Sequence, residues 1–402
     1  MLSVKKTMGI IFTCVITVFV IVLLGLASEK MKNIYDKEII TDSAEISFGK
    51  RLMKRGRVTG YSLKGNEYGD IVTIKVEMGK SSIKNPVLLF NNFIDAGIRV
   101  YIDNEKIYEY GMDAKKNSVV CNDNMIIPLL TNCSNKTITI DLRCTNSGVF
   151  SKVPAMYYMN SKEAGTQNLI GNIMMQATGI MLVCLGIVCI TLFIFNIGIN
   201  VTVKQIIYIS MASIFGGVWI LACYQVLCMM VDSYIIDFYA EYIGIYTMLL
   251  FFNMYMEDLT DNKNDKKILK ILQIGWCIYT VVAFILQINN VVHMNDSIVG
   301  LHLISIPMIY VFTKYFVKKL KEEGKGYIYV YGSVLTVSVI AIAYCIFHFI
   351  KTSINILGIV PVMVLLVVVI GIINSFLELK KAYLSQAEKE ALTNLIYIDK
   401  LY

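Results

Sequence analysis

Histidine is nearly missing from this chain, and its placement excludes a good deal of chemistry. Of 402 residues only His293, His302 and His348 are histidine, and none lies between 28 and 168. That stretch also lacks tryptophan, a GxSxG motif and an HExxH motif. Without an imidazole or a nucleophile–base pair it is not read as an enzyme, and no catalytic residue is expected. No CxxC pair and no Cys/His spacing is present, so neither a metal nor a cofactor is expected. Arginine is absent after Arg143. Charged residues make up only 17% of the chain, against ~25% in ordinary soluble domains. The formal charge of +7 is spread out rather than gathered into a basic stripe, which excludes nucleic acid as a partner.

Long apolar runs are what the chain has instead, 56% of it being hydrophobic. Seven follow one another at about 169–197, 205–230, 234–256, 269–289, 298–317, 327–350 and 354–376. Each approaches or exceeds the ~20 residues that cross a bilayer core. An odd number puts the preceding polar stretch and the following tail on opposite sides of a plasma membrane. Lysine decides which is which. Of 15 lysines after residue 168, 14 fall in connections on one side, and only Lys351 falls on the other. Basic loops stay inside, so the C-terminus is expected in the cytoplasm and residues 28–168 outside the cell.

Lys5 and Lys6 precede the apolar run Met8–Ala27, which reads as a signal anchor or a signal peptide over residues 1–28. Of ten cysteines, seven lie in apolar runs. The outer three, Cys121, Cys133 and Cys144, permit at most one disulfide.

The stretch 29–168 reads as a stalk followed by an all-β domain. Alternating runs occur at Arg57–Leu63, Asp70–Glu77, Pro86–Phe93, Gly97–Ile102, Lys106–Tyr110, Met125–Leu129, Lys136–Arg143 and Val149–Tyr158. Eight short runs with turn residues between them predict a β-sandwich or jelly roll. Asp103-Asn104 between two of them suits a tight hairpin turn with positive φ. Residues 28–48, rich in Glu and Lys, read as a helical or extended stalk. Tyr101, Tyr108 and Tyr110 are the candidates for stacking on a small external ligand, against the plainer reading that they pack the sheet.

Within the bundle, 169–376, Asp237 and Glu241 stand four apart on one helix face, with His302 and His348 at similar depth. Intramembrane ionisable groups mark binding sites when they face the interior, so Asp237, Glu241 and His302 join the ligand-site candidates. The alternative is capping: Asp232 and Ser233 at the third helix start, with acids favouring its positive end. Pro307 and Pro361 are expected to kink their helices.

The tail, 377–402, reads as a helix. Leu377, Leu384, Ala391 and Ile398 repeat every seven residues, and Ala387, Asn394 and Leu401 occupy the alternate seam positions, with Lys380 interrupting. Such a seam, at Leu384, Ala387, Ala391, Asn394, Ile398 and Leu401, predicts a coiled-coil-like homodimer contact. A plain amphipathic juxtamembrane helix is the competing reading.

The layout, together with the hairpin VYIDNEKIYEYG from Val100 to Gly111, resembles the bacterial seven-transmembrane receptors with diverse intracellular signalling modules. The ectodomain is similar to their jelly-roll, carbohydrate-binding-like type, which implies a sugar-class ligand. Tyr397, Asp399 and Leu401 match the opening of a GGDEF diguanylate cyclase domain, while Tyr402 stands where Thr is expected. The resemblance implies a cytoplasmic output module of that type, with this chain a truncated or separated receptor half that cannot itself be a cyclase. The expected function is therefore a membrane sensor relaying an extracellular signal inward. The alternative is a multi-pass transporter or channel component with an accessory ectodomain.

Overall fold

The computed structural model describes residues 37–49, 51–61, 67–94, 96–120, 122–129, 133–146, 153–195, 204–231, 233–323, 364–373 and 375, with 384–385, 387–389 and 391–393 in the tail. The apolar run Met8–Ala27, the expected span 327–350 and His348 lie outside the described residues. The described part is an N-terminal β domain followed by a helical part.

Among the described residues ten strands form two antiparallel sheets. They are β1 (Lys37–Ile39), β2 (Ala44–Phe48), β3 (Arg51–Gly56), β4 (Ile71–Glu77), β5 (Pro86–Ile94), β6 (Ala96–Ile102), β7 (Glu105–Tyr110), β8 (Asn122–Pro128), β9 (Thr137–Cys144) and β10 (Met156–Asn160). The orders are β1-β10-β5-β8 and β3-β2-β4-β9-β6-β7. Four pairs nest inside one another along the chain, β1·β10, β4·β9, β5·β8 and β6·β7, and successive pairs lie in alternate sheets. The β2–β3 hairpin extends the six-stranded sheet beyond β4.

Side-chain alternation explains the core. In β9 every second residue, Ile138, Ile140, Leu142 and Cys144, is buried, while Thr137, Thr139, Asp141 and Arg143 stay partly exposed. Val72, Ile74 and Val76 of β4 and Ile98, Val100 and Ile102 of β6 join them, facing Leu88, Phe90, Met125, Ile127, Met156 and Tyr158 of the other sheet. β5 is buried on both faces, which is why Val87-Leu88-Leu89-Phe90 reads as an unbroken apolar run. Its outer face, with Met159, packs on Ala164 in the first turns of the following helix. Asp103 and Asn104 have φ of 49° and 73°, as the hairpin turn requires.

Cys133 and Cys144 are buried and not disulfide-bonded. Burial pushes both thiols up, Cys144 from 9.0 to about 12. Between those values the unfolded thiol has lost its proton and the folded one has not, so stability falls as pH rises through that window. Iodoacetamide at pH 8 should leave both thiols of the folded chain unmodified and label them only on unfolding. Labelling at the rate of the denatured control would show an open core.

Two expectations for this domain are corrected. Residues 37–48 are not a stalk: they supply β1, a short 3-10 turn (Ile40–Asp42) and β2. Ile40, Ala44 and Ile46 are buried there, while Asp42 and Glu45 pair with Arg57 and Arg55. The strand expected at Arg57–Leu63 falls earlier, at Arg51–Gly56, because Gly56 and Gly60 take φ of 93° and 70° and end the extended run. β3 is a charged sheet edge, the usual protection against pairing with another chain.

The helices are α1 (Ser161–Phe195), α2 (Lys204–Cys223), α3 (Val226–Val231), α4 (Tyr234–Leu259), α5 (Lys263–Ile288), α6 (Met294–Glu323) and α7 (Val364–Ile373). α1 begins eight residues before the expected span, directly from β10. Asn160 caps it, its Oδ1 accepting from Lys162 N at 2.9 Å. The run expected as one span at 205–230 is two helices, since Gln225 adopts φ of 57°. α6 bends by 44° between Met294–Gly300 and Ser305–Tyr315. The bend lies at the turn where Pro307 can neither donate its missing N–H nor clear the carbonyl four residues back. Among the described residues four helices are long and apolar enough to cross a membrane, or five with bent α6. On α5, Ile271, Ile274, Ile278, Val281, Ile285 and Ile288 are each more than half exposed. Their spacing of three and four makes one continuous aliphatic stripe, which water would not tolerate and lipid does. The chain is thus a membrane-associated protein with a β domain.

By contacts the chain divides into two compact units. One holds residues up to Gln176 with Ala222–Ala240 and Val282–Ser297, and the other holds Ala177–Leu221, Glu241–Val281 and Ile298 onward. In the second unit, Lys314 of α6 reaches both carboxylate oxygens of Asp265 on α5 at 3.0 and 2.8 Å. Glu257 of α4 pairs with Lys270 at 3.5 Å and accepts from Gln273 at 2.8 Å. These bonds tie the acidic end of α4 to the lysine-rich start of α5, and that start to the lysine-rich end of α6.

Candidate functional site

The outer face of the six-stranded sheet carries two rows of polar side chains. Strand register aligns Ser47, Thr73, Asp141, Arg99 and Glu109 in one row, and Glu45, Lys75, Thr139, Tyr101 and Lys106 in the next. Period-2 alternation puts all of them opposite the buried set. Thr73 donates its hydroxyl to Asp141 Oδ1 at 2.7 Å. Arg99 Nε donates to Glu109 Oε2 at 2.9 Å, and Arg99 Nη1 to the Tyr101 hydroxyl at 3.3 Å. Lys106 Nζ donates to the same Glu109 oxygen at 2.9 Å. Lys106 and then Arg99 hold the Glu109 carboxyl below the usual range, and Glu109 and Tyr101 in turn raise the Arg99 guanidinium. Arg143, at the end of this face, stacks over the Tyr68 ring at 5.2 Å. A half-exposed aromatic ring set among fixed donors and acceptors can bind a polar, hydroxyl-rich molecule by stacking and hydrogen bonds.

Of the three tyrosine candidates only Tyr101 stands on this face. Tyr108 pairs with Val100 and packs against the core, and Tyr110 pairs with Ile98 and donates its hydroxyl to Val120 O at 2.9 Å. The sheet's two-residue period, with a bulge between Val100 and Tyr101, separates them. Asp141, Arg99 and Thr139 are not among the candidates read from the sequence; the alternation of β9 and, for Arg99, of β6 is the signal that finds them.

The helical candidates lie elsewhere. Asp237 is buried, and its Oδ2 accepts from Cys228 N at 2.8 Å, in the first turn of α3. From the first turn of its own helix it therefore also caps the preceding short one. Glu241 lies one turn further along α4 and is half-buried. His302 lies on α6, with its side chain outside the described part. Among the described residues no cluster of three His, Cys, Asp or Glu is placed to hold a metal. In the tail, Leu384, Ala387 and Ala391 are helical and exposed in the single chain, while Asn394, Ile398 and Leu401 lie outside the described residues.

No protein-family model matches the chain, and comparison with curated proteins gives no match. Among solved structures it is similar to a GH31 alpha-xylosidase from Xanthomonas citri, at 11% identity and a TM-score of 0.19, over 30% of this chain and 14% of that one. It is also similar to a cycloisomaltooligosaccharide glucanotransferase from Paenibacillus sp., at 17% identity and a TM-score of 0.15, over 32% and 18%. The chain thus spans less than a fifth of either enzyme, and neither likeness bears on its fold or activity.

Proposed function

We propose that this chain is a membrane receptor whose β domain is a jelly-roll sensor for a small, hydroxyl-rich extracellular ligand. The nested, sheet-alternating strand pairs support the jelly-roll reading, and the sugar-class ligand follows the resemblance to the seven-transmembrane receptors. Lysine asymmetry supports an extracellular β domain and a cytoplasmic C-terminus, with seven spans in all. The tail seam supports a homodimer acting on a cytoplasmic output module of diguanylate cyclase type. One observation carries the sensor reading: the polar sheet face belongs to a domain joined to the first membrane helix with no linker, Asn160 ending β10 and capping α1.

The test is binding of an oligosaccharide array by the full chain in lipid nanodiscs. At least one sugar should bind, and Asp141→Ala and Tyr101→Ala should each weaken it about tenfold, the effect of losing one charge-assisted bond or one stacked ring. No binding across the array, or binding indifferent to both substitutions, would remove the sheet face as the sensor.

A further inference from the structure

The connection from β7 to β8 runs from the polar sheet face to the turn between α5 and α6, all within one compact unit. Near its start, Arg143 Nη1 donates to the carbonyls of Met112 and Ala114 at 2.6 and 3.1 Å. The Tyr68 hydroxyl donates to the same Ala114 carbonyl at 3.2 Å. At its far end Tyr110 holds the Val120 carbonyl. Gly111, with φ of 65°, lets the chain leave β7 against Gly97, where an added Cβ would meet the Gly111 carbonyl at 2.5 Å. The segment is fastened at both ends.

Its middle is fastened to the helices. Asn117 donates its backbone N–H to Thr145 O at 3.2 Å, just past β9. Its carbonyl accepts from Gln287 Nε2 at 3.0 Å. Its side-chain Nδ2 donates to Val291 O at 2.7 Å and to Asn290 O at 3.3 Å. Gln287 is 1% exposed, and its Oε1 accepts from Met294 N, the first residue of α6, at 2.6 Å. The turn itself is a Schellman closure of α5: Val291 N bonds Leu286 O, Asn290 N bonds Gln287 O, both at 2.9 Å, and Asn290 takes φ of 54°. One buried amide therefore joins the β domain, the end of α5 and the start of α6.

We infer that residues 111–120 are the strap through which the sheet face acts on the α5–α6 turn, with Asn117 and Gln287 as its clasp. This rests on the receptor reading of the β domain. A ligand that engages Arg143 or Tyr68 competes for the groups that hold the strap's carbonyls. The strap then shifts, and Asn117 cannot move without breaking bonds that position the first turn of α6. Coupling needs such a continuous chain of contacts, and it needs a measured response at the far end.

Hydrogen exchange on the full chain in nanodiscs, with no ligand present, reads that response. Asn117→Ala should speed exchange of peptides covering 288–294 about tenfold, the size expected for losing one buried hydrogen bond. Arg143→Ala, acting from the sheet end, should speed the same peptides roughly threefold or more, while Lys75→Ala on the same face should leave them unchanged. Unchanged exchange at 288–294 in Arg143→Ala, with β4 and β9 still protected, would overturn the strap. Should Arg143→Ala loosen β4 and β9 as well, Tyr68→Phe decides in the same way, since it removes only the hydroxyl on Ala114. The measurement uses no ligand, so its failure sinks the strap and leaves the sensor reading standing, whereas failure of the sugar array removes the sensor reading even where the exchange result holds.

Discussion

Gly217→Val should separate α1 from α2 and cost about 3 kcal/mol, the upper end of overpacking penalties. A Cβ on Gly217 would lie 2.6 Å from the Gly179 carbonyl and 2.6 Å from the Val183 side chain. The first of these is backbone and cannot turn aside. On α1, a Cβ on Gly186 would lie 2.6 Å from Ser210 O and one on Gly179 2.9 Å from the Leu221 side chain, and Ser213 donates to Leu182 O at 2.6 Å across the same contact. In lipid, where apolar side chains gain little by meeting each other, small residues that let backbones approach and hydroxyls that bond across do most of the holding. Thermal unfolding of the full chain in nanodiscs should show a clear drop in Tm for this variant. Gly165→Ala, also on α1 but with nothing within 4 Å of its added Cβ, should be neutral or slightly stabilising. Equal Tm values for the two variants would mean that α1 and α2 do not touch at Gly217.

Ile140→Ala should cost the β domain about 2–5 kcal/mol. Ile140 is fully buried in the middle of β9, flanked in register by Ile74 and Val100. Removing its side chain leaves a void between sheets that are closed by neighbours on every side. A domain whose whole stability is of the order of 5–15 kcal/mol would lose a large share of it. Thr139→Ala, one residue away but on the outer face, should change stability by no more than about 0.5 kcal/mol. Urea unfolding followed by amide protection of β4 and β9 separates the two. Similar losses from both would mean that β9 does not alternate between core and surface.

The parts that were legible in the sequence are those whose cause is local. The β9 and β4 runs show their two-residue period directly, and Asp103-Asn104 announces its turn because only a few residue types accept positive φ at low cost. Length and apolarity mark α1, α2, α4 and α5 as membrane helices without knowledge of their neighbours. The misreadings have non-local causes. Residues 37–48 look like a charged stalk because Asp42 and Glu45 find their arginine partners only once β2 and β3 pair. Asp237 gives no local sign that it also caps α3, because its bond to Cys228 joins two separate helices. The three tyrosines look like one group because they are close in sequence, and a bulge with a two-residue period sends them to different faces.

That a strand-rich polar stretch precedes a series of membrane-length helices, and where most strands and helices lie, follows from the residues alone. Those properties depend on periodicity, hydropathy and turn chemistry, each readable within a dozen residues. Which strands nest with which, which row of side chains the six-stranded sheet presents, and where two helices come close enough to require glycine depend on long-range packing. Packing likewise brings Asn117 to Gln287, 170 residues away along the chain. Neither residue carries a local sign of that bond, because a hydrogen bond between distant segments is set by the packing that delivers donor to acceptor and not by the residues beside either one.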